Sequence, residues 1–238
     1  MQSNAGLRDL VLNNAERRRP LFLSPFNEDF AFVTHSVRNS VEHRLHPEEA
    51  RILSPRASAS RRSEFLLGRT AAYLALKQLG FDSPPPVLQG ERREPLWPEG
   101  IVGSITHCES WAIVAAARRS VALTIGIDLE STATIQTDDI GALICHDTER
   151  DWVAEDGDCR ERLMMVFSAK EAAFKALYPL CKRFIDFKEV RLRWIPKQAG
   201  FRGELLTSLN PDFTRGYEFD VGCSRNGDLI LTHMVLLC

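Results

Sequence analysis

The chain carries almost no net charge: 30 Lys and Arg stand against 32 Asp and Glu, which leaves −2 with histidine neutral. That balance argues against a general nucleic-acid binder but leaves room for local basic patches. No apolar run approaches the roughly 20 residues that a membrane-spanning helix needs. The opening MQSNAGLRDL lacks the basic flank and apolar stretch of a signal peptide, so a cytoplasmic location is expected. The six cysteines (Cys108, Cys145, Cys159, Cys181, Cys223 and Cys238) form no CxxC pair, which argues against a zinc ribbon or a thioredoxin-like motif. Without an export signal they are expected as free thiols. His43 and His46 could make a metal pair, but an Arg-rich surface turn is the expectation there. No repeat and no low-complexity block is visible. What is present, 238 residues with 44% hydrophobic and 26% charged, suffices for one large domain or two small ones.

Periodicity places a helix over Ser60–Leu79, capped by Ser60 or Ser63 and stopped by Gly80. Before it, Ser3–Arg19 reads as a loosely held arm or short helix. After it, Phe81–Gly100 holds Pro84, Pro85, Pro86, Pro95 and Pro98 and cannot be helical. Ile101–Thr106, Trp111–Ala117 and Val121–Glu130 read as strands. Leu163–Tyr178 is a second helix, ended by Pro179. Glu189–Trp194, Tyr217–Cys223 and Leu229–Leu237 are strand-like, with turns at Asn210-Pro211 and Asn226-Gly227. A helix followed by strands, twice, gives an α+β fold of two similar halves. The boundary falls between 122 and 123.

In the strand Thr124-Ile-Gly-Ile-Asp-Leu-Glu130, alternation puts Asp128 and Glu130 on one face. Paired carboxylates there suit Mg²⁺, a hard cation that completes its shell with water and phosphate. A solvated strand end is the commoner outcome for such a pattern taken alone. Phe167-Ser-Ala-Lys-Glu-Ala-Ala-Phe-Lys175 adds Glu171 and Lys175 on one helical face. They form either an exposed ion pair or a third carboxylate with an ammonium for phosphate. Arg61 and Arg69 are about two turns apart and can share a face. Arg62 lies beside them, and Arg92 and Arg93 follow in the proline-rich loop. Thr106 and His107 close a strand with a hydroxyl and an imidazole.

These segments occur in the order Arg61–Arg69, Pro95–His107, Gly126–Glu130 and Phe167–Lys175. The chain in this respect resembles the 4′-phosphopantetheinyl transferases of the enterobactin synthetase component D type. Phe184-Ile-Asp-Phe187 is similar as well, whereas the first sixty or so residues match nothing firmly. The resemblance implies a pseudo-dimer of two α/β halves with coenzyme A in the cleft between them. It implies Mg²⁺ on Asp128, Glu130 and Glu171, with Asp128, Glu171 and Lys175 as the catalytic group. Lys175, Thr106 and His107 would contact phosphates, and Arg61 and Arg69 the nucleotide end with its 3′-phosphate. Arg93 sits where relatives carry a basic residue, and Gln89 occupies a spot that is Lys in some. The implied reaction moves the phosphopantetheine arm to a serine of an apo carrier protein, with siderophore and other nonribosomal peptide carriers first and polyketide or fatty-acid carriers next. A Mg²⁺-dependent nucleotide phosphohydrolase and a non-catalytic coenzyme A-binding adaptor are the competing expectations.

Overall fold

A computed structural model describes residues 20–38, 45–134, 140–155 and 157–238. The Ser3–Arg19 arm and His43 lie outside the described residues. His46 begins a short helix, α1 (Pro47–Ala50), where its Nδ1 accepts the Glu48 N–H at 3.3 Å.

The long N-terminal helix, α2, spans Ala59–Gln78. Its cap is Ser58, two residues before Ser60, the earlier of the two caps the sequence suggests, with the Ser58 hydroxyl accepting from Arg61 N–H at 3.2 Å. Gly80, at φ +92°, makes the left-handed exit that a side chain would resist. The proline-rich stretch that follows contains a small hairpin, β2 (Leu88–Gln89) against β3 (Pro95–Leu96). Then come β4 (Ile101–Cys108), β5 (Trp111–Arg118) and β6 (Ala122–Ser131). A strand the sequence reading missed, β1 (Phe30–Ser36), pairs with β5, giving a sheet ordered β1-β5-β4.

Two short helices, α3 (Ile140–Ile144) and α4 (Asp147–Ala154), lead to α5 (Cys159–Cys181). Pro179 does not end α5; it sits in the last turn, where its missing N–H removes one helical bond, and Lys182 N–H still reaches Tyr178 O at 2.8 Å. The second sheet runs β6-β10-β9-β8-β7, made from β7 (Val190–Ile195), β8 (Gly200–Leu205), β9 (Glu218–Asn226) and β10 (Leu229–Leu237). β8 was also missed, because Gly200-Phe-Arg-Gly-Glu-Leu interrupts its alternation with two glycines. All antiparallel, with helices segregated to outer faces, this is an α+β fold.

One core lies between α2 and the first sheet, around Leu67, Ala71, Leu76 and Val114. A second lies between α5 and the second sheet, around Met164, Leu177, Phe201 and Leu205. The third joins the two sheets through Ile113, Ala115, Ile125, Ile127, Leu129 and Leu231. β5 is therefore covered on both faces, which is why Ala112–Ala117 is an unbroken buried run. No helix among the described residues is long and apolar enough to cross a membrane.

Both halves carry the same buried device. In the first, Glu49 accepts His46 N–H (3.1 Å) and Val87 N–H (3.0 Å) and faces Arg69 at 4.0 Å. In the second, Glu149 accepts His146 N–H and Leu192 N–H (2.6 Å each) and takes Lys170 Nζ at 2.8 Å. Each glutamate thus ties a helix start to a distant backbone and is neutralised by a cation from the long helix, Arg69 in α2 or Lys170 in α5. The sheets are less alike, with three strands in one and five in the other.

His233 lies at the seam, its ring edge-on to Phe26 and over Gly222. Its Nδ1 has no hydrogen-bond partner, and burial pushes the ring down to about 4. The unfolded chain protonates near 6.5 while the folded one resists, so stability is complete above that pH and falls between about 6.5 and 4. By pH 5 this amounts to about 2 kcal/mol. His233→Phe is expected to flatten the loss, which urea midpoints at pH 7 and pH 5 would read.

Candidate active site

Asp128 is the hub. It stands on β6, 4% exposed, and its Oδ1 accepts Lys175 Nζ at 2.6 Å and the Thr106 hydroxyl at 3.4 Å. Lys175 comes from α5 and also donates to Ile127 O at 3.2 Å. The ammonium thus crosses from helix to strand instead of making the surface pair with Glu171. The other Asp128 oxygen, Oδ2, is buried with no hydrogen bond.

Two further carboxylates gather at this hub. Burial and the neighbouring Asp128 push the Glu130 carboxyl up to about 7, with Glu171 adding to the effect. Glu171 is raised too, first by burial, with Lys175 opposing and Asp128 adding. Among the described residues no three His, Cys, Asp or Glu side chains form a ready cage for a metal ion. The cluster is nevertheless an excess of hard oxygen donors with one orphaned buried oxygen, a donor set that fits Mg²⁺.

His107, near the end of β4, also feels these charges. Its pKa is lowered, by desolvation first; Arg61 and Lys175 lower it further, against Glu64 and Asp128. The imidazole is therefore the electrostatic meeting point of α2, β6 and α5. Arg61 lies at 3.6 Å from Glu64, whose other oxygen accepts the Ser60 hydroxyl at 2.9 Å. Glu64 is a site neighbour that sequence reasoning passed over; its place one turn after Ser60 and Arg61 was the available signal.

Other expected residues stand differently. Arg69 does not share an open face with Arg61: it is 6% exposed, donates from Nη2 to Leu88 O at 3.3 Å and packs over Phe65, while its Nε lacks a hydrogen-bond partner. Arg62 is turned back onto Ala57 O. Thr106 is 4% exposed, and its hydroxyl donates to Asp128 at 3.4 Å and accepts the Leu129 N–H at 3.0 Å. Gln89 braces the hairpin turn through Arg93 O at 3.4 Å.

Beside the hub opens a cleft of about 480 Å³ between the halves, walled by Arg93, Trp97, Gly103, Phe174, Lys175 and Tyr178. Arg93 and Lys175 both line it, together with the aromatic rings of Trp97, Phe174 and Tyr178. The hairpin reaches across it, Glu94 facing Lys182 at 3.7 Å. A larger hollow, about 550 Å³, lies at the β7 edge under Trp152 and Trp194 and touches none of the expected site residues.

Residues 48–117 match the model of the 4′-phosphopantetheinyl transferase N-terminal domain, and residues 124–221 match that of the 4′-phosphopantetheinyl transferase superfamily. The chain is similar to 4′-phosphopantetheinyl transferase Svp of Streptomyces mobaraensis, 39% identical over 68% of this chain and 66% of that protein. It is 33% identical to 4′-phosphopantetheinyl transferase PptT of Mycobacterium tuberculosis, over 68% of this chain and 71% of the relative. Enterobactin synthase component D of Escherichia coli is 38% identical over half of this chain and 56% of its own length. The chain therefore spans between about half and 71% of the length of these relatives. With both domain models matched in order and the acidic hub on the second of them, the chain belongs to the 4′-phosphopantetheinyl transferase superfamily.

Proposed function

We propose that this chain transfers the 4′-phosphopantetheine arm of coenzyme A to a serine hydroxyl of an apo carrier protein, releasing 3′,5′-ADP. The observation that carries the reading is the line of charge across the seam between the halves, 1–122 and 123–238. Arg61 and His107 come from the first half; Lys175, Asp128, Glu130 and Glu171 come from the second. Such a line matches a ligand with phosphates at one end and a pyrophosphate at the other. Mg²⁺ held by Asp128, Glu130 and Glu171 would supply charge neutralisation at the pyrophosphate. Lys175 and His107 bind and orient the phosphates, and Arg93 adds a cation from the hairpin. Arg61 takes the 3′-phosphate of the nucleotide, with Arg69 behind it holding Leu88 and the hairpin in place. Glu171, raised above the usual carboxylate range, is suited to accept the serine proton. Positioning and electrostatics then account for most of the acceleration.

The rings of Trp97, Phe174 and Tyr178 in the cleft lining suit the uncharged pantetheine arm. Siderophore and other nonribosomal peptide carriers are the first acceptors to test, then polyketide and fatty-acid carriers. Six free thiols fit a reducing, cytoplasmic setting.

The test is to incubate the protein with coenzyme A, Mg²⁺ and each apo carrier, and to weigh the carriers. A gain of one phosphopantetheine arm supports the reading. Free phosphopantetheine with unmodified carrier would instead indicate a phosphohydrolase, and binding without any product an adaptor. Arg61→Ala is expected to raise KM for coenzyme A about tenfold with kcat nearly unchanged, as loss of one charge-assisted contact made equally in ground and transition states. Initial rates against coenzyme A concentration would check it.

A further inference from the structure

Two sheet edges meet at the centre of this molecule without pairing. β4 is the last strand of one sheet and β6 the last strand of the other, and no main-chain ladder joins them. β6 bonds to β10 on one side only, so alternate N–H groups point off the ladder. At Ile127 and Leu129 these groups face β4. The answer comes from side chains: Ser104 Oγ accepts Ile127 N–H at 3.1 Å, and Thr106 Oγ1 accepts Leu129 N–H at 3.0 Å. Both strands advance by two residues between the two bonds, so the hydroxyls match the N–H groups step for step.

Asp128 lies between the two anchored amides. Its carboxylate receives the Thr106 hydroxyl, and its carbonyl receives the Ser168 hydroxyl at 3.3 Å from α5. Ser104, Thr106, Asp128 and Ser168 are all 4% exposed or less. In such a dry place a shift of register by one residue would leave two buried N–H groups without acceptors, which is costly. The next residue of the same strand is His107, whose imidazole feels the charges of Arg61 and Glu64 on α2.

We infer that Ser104 and Thr106 are positioning residues that fix the height of Asp128, on one half, against His107, on the other. The inference rests on the transferase reading for its functional consequence, and on the two hydrogen bonds for its structural part. It makes Thr106 act through Asp128 and not by touching substrate.

Amide exchange and transfer kinetics on the full chain test it together. Ser104→Ala should speed exchange at Ile127, and Thr106→Val at Leu129, each by about tenfold or more, while other β6 amides keep their protection. Thr106→Val should also lower kcat about tenfold with KM for coenzyme A little changed, and Thr106→Ser, which keeps the hydroxyl, should recover most of it. Uniform acceleration of all amides, or a Thr106→Val enzyme with wild-type kcat, would overturn the inference. Should the wild-type chain modify no carrier at all, the transferase reading fails separately. Exchange then decides: selective acceleration at Ile127 and Leu129 supports the latch, and unaltered exchange removes it.

Discussion

Glu171→Gln should lower arm transfer by about 10²–10³-fold and leave the protein folded. The substitution changes a charge and nothing in volume, and Glu171 sits on a helix whose core contacts come from other faces, at Leu163, Val166, Ala173 and Leu177. What it removes is one of three carboxylates that repel one another at the hub, and the proposed acceptor of the serine proton. Removing a repulsive charge from a buried cluster does not destabilise the fold, so activity and stability part company. Asp128→Ala should cost at least as much activity, because it also strips Lys175 of its partner at 2.6 Å and Thr106 of an acceptor. Carrier modification by mass and thermal unfolding of the same samples would read both. A Glu171→Gln or Asp128→Ala protein that modified carrier at the wild-type rate would sink the site assignment.

Gly126→Ala is expected to have the largest effect on stability, about 3 kcal/mol or more. A Cβ built at Gly126 would stand 1.9 Å from Ala172 O and 2.6 Å from Ala176 N. Both obstacles are backbone of α5, which cannot swing aside as a side chain could. The strand and helix would have to separate along the line that brings Lys175 to Asp128, so whatever folded protein remained would also lose activity. Urea unfolding gives the first quantity, and a midpoint unchanged from wild type would contradict this account of the packing. The alanines at 172, 173 and 176, all fully buried, belong to the same close approach.

Much of this was legible in the residues. The strands around Ile101, Trp111 and Val121 could be read because β5 and β6 are buried on both faces and so carry long apolar runs. Asp128 and Glu130 were legible from strand alternation, and Glu171 and Lys175 from helical spacing. Less legible were features that depend on distant partners. Nothing local in Arg69 shows that Glu49, twenty residues earlier, draws it inward. Thr106 looked like a free hydroxyl because its acceptor and donor partners lie on β6, beyond a hairpin. β1 and β8 were missed because one starts a poorly patterned segment and the other is broken by Gly200 and Gly203, where neighbouring groups leave no room for a side chain. The paired devices at His46–Glu49 and His146–Glu149 do leave a trace, a histidine followed three residues later by glutamate. So short a pattern gains meaning only once Arg69 and Lys170 are seen to answer it.

The second of those devices bears on how the protein behaves among its own copies. β7 is an outer strand, and an outer strand offers unpaired N–H groups on which another molecule's strand can grow. Here the Leu192 N–H is already taken by Glu149, which is 2% exposed and held from behind by Lys170. A foreign strand would have to expel a buried carboxylate and lift α4 away before it could add. The Glu149–Lys170 pair therefore blocks strand addition at Leu192, in the middle of the β7 edge.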